Sequence, residues 1–216
     1  MDLNNVPFTN EKSKMYMTLY ACLLAMILIH LGSISKNIFE KLISFLEFCD
    51  DTLSVMMARE LLLAKKYFEK GHVLGFFKYI QKNRQGILEK IRNMSWDLCH
   101  IRLMEKSITI NPTGESRYFF PALLTFDRDL IEVIDLYPLK SCVFKNDGSD
   151  LRLFFDGSLL EELSGNEDDR NIICERFYSN EAIQKRSANR AQAEKRLPRI
   201  IKEFEERVCK NAQVSS

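Results

Sequence analysis

The run MYMTLYACLLAMILIHLGSI, residues 15–34, places the strongest constraint on any fold this chain adopts. It contains no Asp, Glu, Lys or Arg, while Lys12, Lys14 and Lys36 flank it. Crossing a bilayer takes about 20 consecutive apolar residues, so the run sits at the border of that requirement. Tyr16, Thr18, Tyr20 and His30 dilute its apolarity, and it lacks the small-residue cleavage site of a signal peptide. We read residues 11–31 as a helix buried in a protein core, with a membrane anchor as the alternative. A helix that is apolar on every side must be enclosed on every side. The rest of the chain must therefore supply several elements that pack around it. With 216 residues, 46% apolar and 28% charged, the chain has the length and composition of an ordered globular protein.

The remaining pattern is mostly helical. Residues 35–51 repeat apolar positions over a wide face, and 54–71 form a third helix that Gly71 closes. Residues 73–86 read as a fourth, and 87–108 as a fifth or as two helices joined by a break near residues 93–95. Residues 111–116, NPTGES, mark a turn. The run YFFPALLTF, 118–126, reads as a buried strand, with Pro121 early, where a ladder bond can be spared. A short helix over 128–136 follows. Residues 140–157 suggest two short strands around the turn Asn146-Asp147-Gly148. From 159 onward the chain turns helical and polar. Residues 181–210 carry a late apolar face of Leu197, Ile200, Ile201, Phe204 and Val208, with a break or bend expected at Pro198. The expected class is α/β: a helix-rich domain over 1–160 with a small parallel or mixed sheet, and a charged helical tail over 161–216. That tail is expected to dock back on the domain, to dimerise, or to meet a partner protein.

Net charge is +1, but it is unevenly distributed: −2 over 1–57, +6 over 58–106, −7 over 107–180 and +4 over 181–216. A basic middle beside an acidic third quarter suits a polyanion on one side and a cation on the other, or simply two solvated faces. The six cysteines are dispersed, with no C-x-x-C pair and no Cys/His spacing suited to zinc. Cys22, Cys99 and Cys142 lie among apolar residues. Free thiols in a reducing, cytoplasmic setting are expected.

Four acids stand out by context. Glu60 lies in MMARELLLA. Asp97 follows Trp96, placed for the first turn of a helix, where the helix dipole favours a carboxylate. Asp127 and Asp129 follow the apolar run 119–126. Carboxylates gathered from separate segments repel one another unless a cation lies between them, and Mg²⁺ or Mn²⁺ prefers such hard oxygen ligands. Each acid also has a plainer role: Asp127 or Asp129 as a helix cap, Asp97 as a first-turn acid, Glu60 in a surface pair with a lysine.

SWDLCHIRLMEKSI followed by FFPALLTFDRDLIEVI resembles the second half of a PIN-like nuclease domain, over roughly residues 54–145. In that family an Asp opens a helix that packs on a sheet, and a following strand runs into a Thr-x-Asp motif, here Thr125-Phe126-Asp127. The family's earlier Glu falls on Glu60. The resemblance implies a metal-dependent endoribonuclease, acting as a toxin or defence effector. Mg²⁺ or Mn²⁺ would be held by Glu60, Asp97 and Asp127, with Asp129 a further ligand. RNA phosphates would meet Lys78, Lys82, Arg84, Lys90 and Arg92, and an antitoxin or other protein would bind the tail. The chain departs from the family at its first acid: Asp2, with Asn4 or Asn5, follows no strand. Loss of that acid would leave a non-catalytic interaction module with a degenerate nuclease fold. Arg92-Asn93 and His100 also resemble the Arg-to-His motif of the all-helical HEPN ribonucleases, at a longer spacing. No G-x-S-x-G, phosphate loop or G-x-G-x-x-G is present, and Trp96, Phe76, Phe77 and Tyr79 read as core.

Overall fold

The computed structural model describes residues 10–33, 35–81, 85–107, 121–143, 145 and 152–213. The expectations placed on Asp2, Asn4, Asn5, Lys82, Arg84, the turn at 111–116, residues 118–120 and the turn at 146–148 lie outside these residues.

Helix α1 (Asn10–Gly32) is the centre of the molecule. Leu19 to Leu28 are buried without a break in the helical cycle, so neighbours enclose it on every side. Those neighbours are α2 (Ile38–Glu47), α3 (Ala58–Lys70), α4 (Ile87–Ser107) and α8 (Asn180–Gln213). By length and composition α1 could cross a membrane; in this structure its apolar surface is spent on other helices.

The local signals explain most boundaries. Asn37 caps α2 through its side chain, which accepts the Glu40 N–H at 2.8 Å, while the Glu40 carboxylate accepts the Asn37 N–H at 3.1 Å. A π-helical turn, Phe48–Leu53, extends α2 and ends at Ser54, which adopts a left-handed φ of 51°. Gly71 stops α3 at a φ of 58°. The helix expected over 73–86 is replaced by two 3₁₀ turns, Gly71–Val73 and Gly75–Phe77. Their apolar side chains Phe76 and Phe77 are still buried, so burial there does not require an α-helix. Helix α4 runs unbroken through residues 93–95. Asp97 therefore lies in mid-helix rather than in a first turn, and the dipole argument for it does not apply.

The sheet corrects the expected α/β class. Among the described residues it has two strands, β1 (Leu139–Val143) and β2 (Arg152–Phe155), paired antiparallel with Leu139 opposite Phe155 and Val143 opposite Arg152. It is neither parallel nor mixed. A connection of eight residues returns the chain as a hairpin, whereas a parallel pair needs a crossover of a dozen or more. Residues 121–126, expected to be a buried strand, form no regular structure and precede α5 (Arg128–Asp135). Their β-type apolar pattern has no strand beside it among the described residues.

Helices α6 (Leu159–Leu163) and α7 (Glu167–Phe177) lead into α8, which passes Pro198 without interruption. Leu197, Ile201 and Val208 of α8 are buried in the same core as α1, and Phe204 packs on Phe48 at 5.4 Å. Polar ties fix its register. The Tyr20 hydroxyl donates to Glu205 at 2.7 Å, Arg92 meets the same carboxylate at 2.7 Å, and Lys14 meets Glu194 at 2.8 Å. Farther along, Arg186 donates to buried Asp50 at 2.6 Å, joining α8 to the π-helical turn.

Candidate functional site

The four acids singled out in the sequence occupy three environments. Glu60 points into the interior from the first turn of α3 and is 1% exposed. Arg102 of α4 spans it, its Nε and Nη2 donating to the two carboxylate oxygens. Arg102 also donates to Glu105 at 3.0 Å, and Glu105 meets Arg59 at 2.6 Å. Arg59 in turn donates to the Tyr137 carbonyl at 2.8 Å. Four charges, two of each sign, thus lie between α3 and α4. Burial alone would push the Arg102 guanidinium down, but the Glu60 and Glu105 carboxylates more than offset that and hold it up. This is a structural ion network, which balances its own charge. The sequence reading missed it. Its signal was the adjacent Arg59-Glu60 in one helix and Arg102 and Glu105 three residues apart in another, both in apolar context.

Asp127 caps α5, its Oδ1 accepting the N–H groups of Asp129 at 2.9 Å and Leu130 at 3.3 Å. Asp129 turns to Lys78, whose ammonium it holds charged. Gly75 permits that approach, because a Cβ there would come within 2.0 Å of the Asp129 carboxylate. Asp97 is half-buried in α4. Burial first, and the Asp127 carboxylate second, push its carboxyl above the usual range, while His100 pulls the other way. The Asp127 carboxylate therefore acts on Asp97. Glu60 does not join them, being committed to Arg102, and Asp129 is committed to Lys78.

The residues present do not fit the four-carboxylate metal set that the resemblance implies. Both oxygens of one member are taken by a guanidinium, and a second member is neutralised by a lysine. Among the described residues, no group of three or more His, Cys, Asp or Glu side chains gathers in one place.

The basic strip is likewise dispersed. Lys78 pairs with Asp129 and Arg92 with Glu205. Lys90 is exposed with its ammonium 5.5 Å from the centre of the Tyr79 ring. His100 is exposed, its ring 6.2 Å from Trp96, and Trp96 stacks on Tyr16 at 4.3 Å.

A different feature marks the surface. Leu124 is 85% exposed and Phe126 90%, with Leu123 and Ile131 beside them in the chain at 39% each. Thr125 Oγ accepts the Asp127 N–H at 3.1 Å, turning the run into the cap of α5. Large apolar side chains are thus held out to solvent directly before the exposed carboxylate that caps α5. No protein family, curated protein or solved structure matches this chain.

Proposed function

We propose that this chain is a protein-interaction module and that a partner docks on residues 121–126 and the start of α5. One observation carries the reading: Leu124 and Phe126 are almost fully exposed, whereas the other long apolar runs among the described residues are enclosed. Scattered exposed hydrophobes are ordinary, but several within one short segment mark a contact surface. The test is a photo-crosslinker in place of Leu124 in the source cell. We expect one discrete crosslinked product, lost when Phe126→Asp is added, and none from a crosslinker at exposed Lys202. Only uncrosslinked chain from position 124 would overturn the reading.

A second reading, cleavage of RNA at Mg²⁺ or Mn²⁺ held by Asp97 and Asp127 alone, is supported by the influence of the Asp127 carboxylate on half-buried Asp97. It would give the chain RNA as a partner and keep a toxin or defence role open. Asp127→Asn separates charge from structure, since Asn also caps helices well. Metal-dependent cleavage by the wild type that disappears in Asp127→Asn supports this reading; folded protein that cleaves no RNA class removes it.

A further inference from the structure

A groove of about 940 Å³ opens where the start of α1, the approach to α3, the end of α4, the hairpin and the middle of α8 converge. Its walls are apolar in large part, with Met15, Met56, Met57, Leu103 and Phe155 among them. Thioethers adapt to irregular shapes, which suits a flexible occupant. Its charge is one-sided. Five cationic side chains line it, Lys12, Lys14, Arg102, Lys106 and Arg190, against two anionic ones, Glu11 and Glu194. Glu194 is shared between Lys14 at 2.8 Å and Arg190 at 3.3 Å, and Glu11 answers Lys106 at 2.8 Å. Arg102 is balanced from within by Glu60 and Glu105. Lys12 has no ion pair among the described residues, so the mouth carries surplus positive charge.

The wall behind the groove has a second unmet demand. Arg59 follows Ala58 in the chain and donates to the Tyr137 carbonyl; Ala58 and Tyr137 both line the groove. The Arg59 side chain is 2% exposed, yet its Nε and Nη1 have no partner among the described residues. Buried guanidinium donors are normally satisfied.

We propose that this groove binds a soluble anionic amphiphile, a carboxylate or phosphate head on a single alkyl or aromatic body. The head lies among Lys12, Lys106 and Arg190, and the body lies along the methionines. The volume falls in the range of small-molecule sites, which combine apolar walls with a few orienting polar groups. This site is independent of the proposed docking face at 121–126.

The test uses the full chain and decyl phosphate below its micelle concentration, followed by isothermal titration calorimetry. We expect one saturable site. Decyl maltoside, which keeps the chain but lacks the charge, should bind at least about tenfold more weakly, and inorganic phosphate should not register. Lys12→Glu and Lys106→Glu should each weaken binding about tenfold, whereas Arg199→Glu, the same charge change on an exposed part of α8, should leave it unchanged. Lys12 is exposed, so its variant stays informative if a wall variant such as Met57→Asp fails to fold. Equal affinity for the neutral amphiphile, equal loss in all three charge variants, or no saturable binding would overturn the proposal. So would capture by anionic phospholipid vesicles without binding of the free amphiphile.

Discussion

Two apolar runs of this chain meet opposite fates. Residues 19–28 of α1 vanish into the core, while Leu123, Leu124 and Phe126 stand in solvent. Composition does not separate them; what surrounds them does. The α1 run is apolar on every side, and each adjoining helix offers it an apolar stripe. The 121–126 run has the apolar content of a buried strand, and a strand needs other strands. Beyond it, this chain offers among its described residues only a hairpin, which is already paired with itself. The lesson is that burial is a property of pairs of surfaces, and an apolar segment without its counterpart becomes an interface.

The sharpest way to break the buried side of this contrast is to unbalance its ions. Glu105→Ala leaves Arg59 and Arg102 with one carboxylate between them and should cost about 3–5 kcal/mol, read from urea denaturation. Removing packing comes next: Leu24→Ala, at a fully buried position on α1, should cost about 2–5 kcal/mol in the same assay. On the exposed side the effects should be small. Asp127→Ala removes the cap of α5 and should cost about 1 kcal/mol, while Asp127→Asn should cost much less. Phe126→Ser should change stability by no more than about 0.5 kcal/mol while abolishing the crosslink expected from position 124. A large loss of stability there would mean that Phe126 belongs to the core after all.

The smallest effect concerns pH. The Asp97 carboxyl titrates above its ordinary value in the folded chain. An acid raised in this way makes the folded state the better proton binder. Its ionisation therefore costs stability above the folded pKa, and the cost fades as pH falls through that pKa toward the unfolded value. Asp97→Asn should raise Tm by about 1–2 °C at pH 7 and by nothing at a pH below the ordinary aspartate range. A gain that is the same at both pH values would assign the effect to packing instead.

Much of this architecture was readable from the residues. The period of 35–51 and 54–71 identified α2 and α3, Gly71 marked a true stop, and the late apolar face of Leu197, Ile201 and Val208 is the face α8 buries. What misled was local likeness without knowledge of neighbours. Residues 121–126 carry strand chemistry with no described sheet to join. Asp97 resembles a helix-opening acid because Asn93 and Ser95 look like a break, yet packing carries α4 straight through. Glu60 drew attention for its apolar surroundings, and those surroundings do signal burial. They said nothing of Arg102, which lies 42 residues away in the chain and takes both of its oxygens. Long-range pairing of charges has no period: charged residues in apolar context, such as Arg59-Glu60 and Arg102 with Glu105, mark that a partner exists but not which one.

The tie between Lys14 and Glu194 spans 180 residues, and that separation sets a clock. Synthesis at about 5–20 residues per second leaves roughly 10–40 s between the emergence of α1 and that of the helix that seals it. Throughout that interval the most apolar surface of the protein has only part of its cover. α8 therefore acts as a late closure, and until it arrives the nascent chain presents the kind of surface that chaperones and membranes compete to hold.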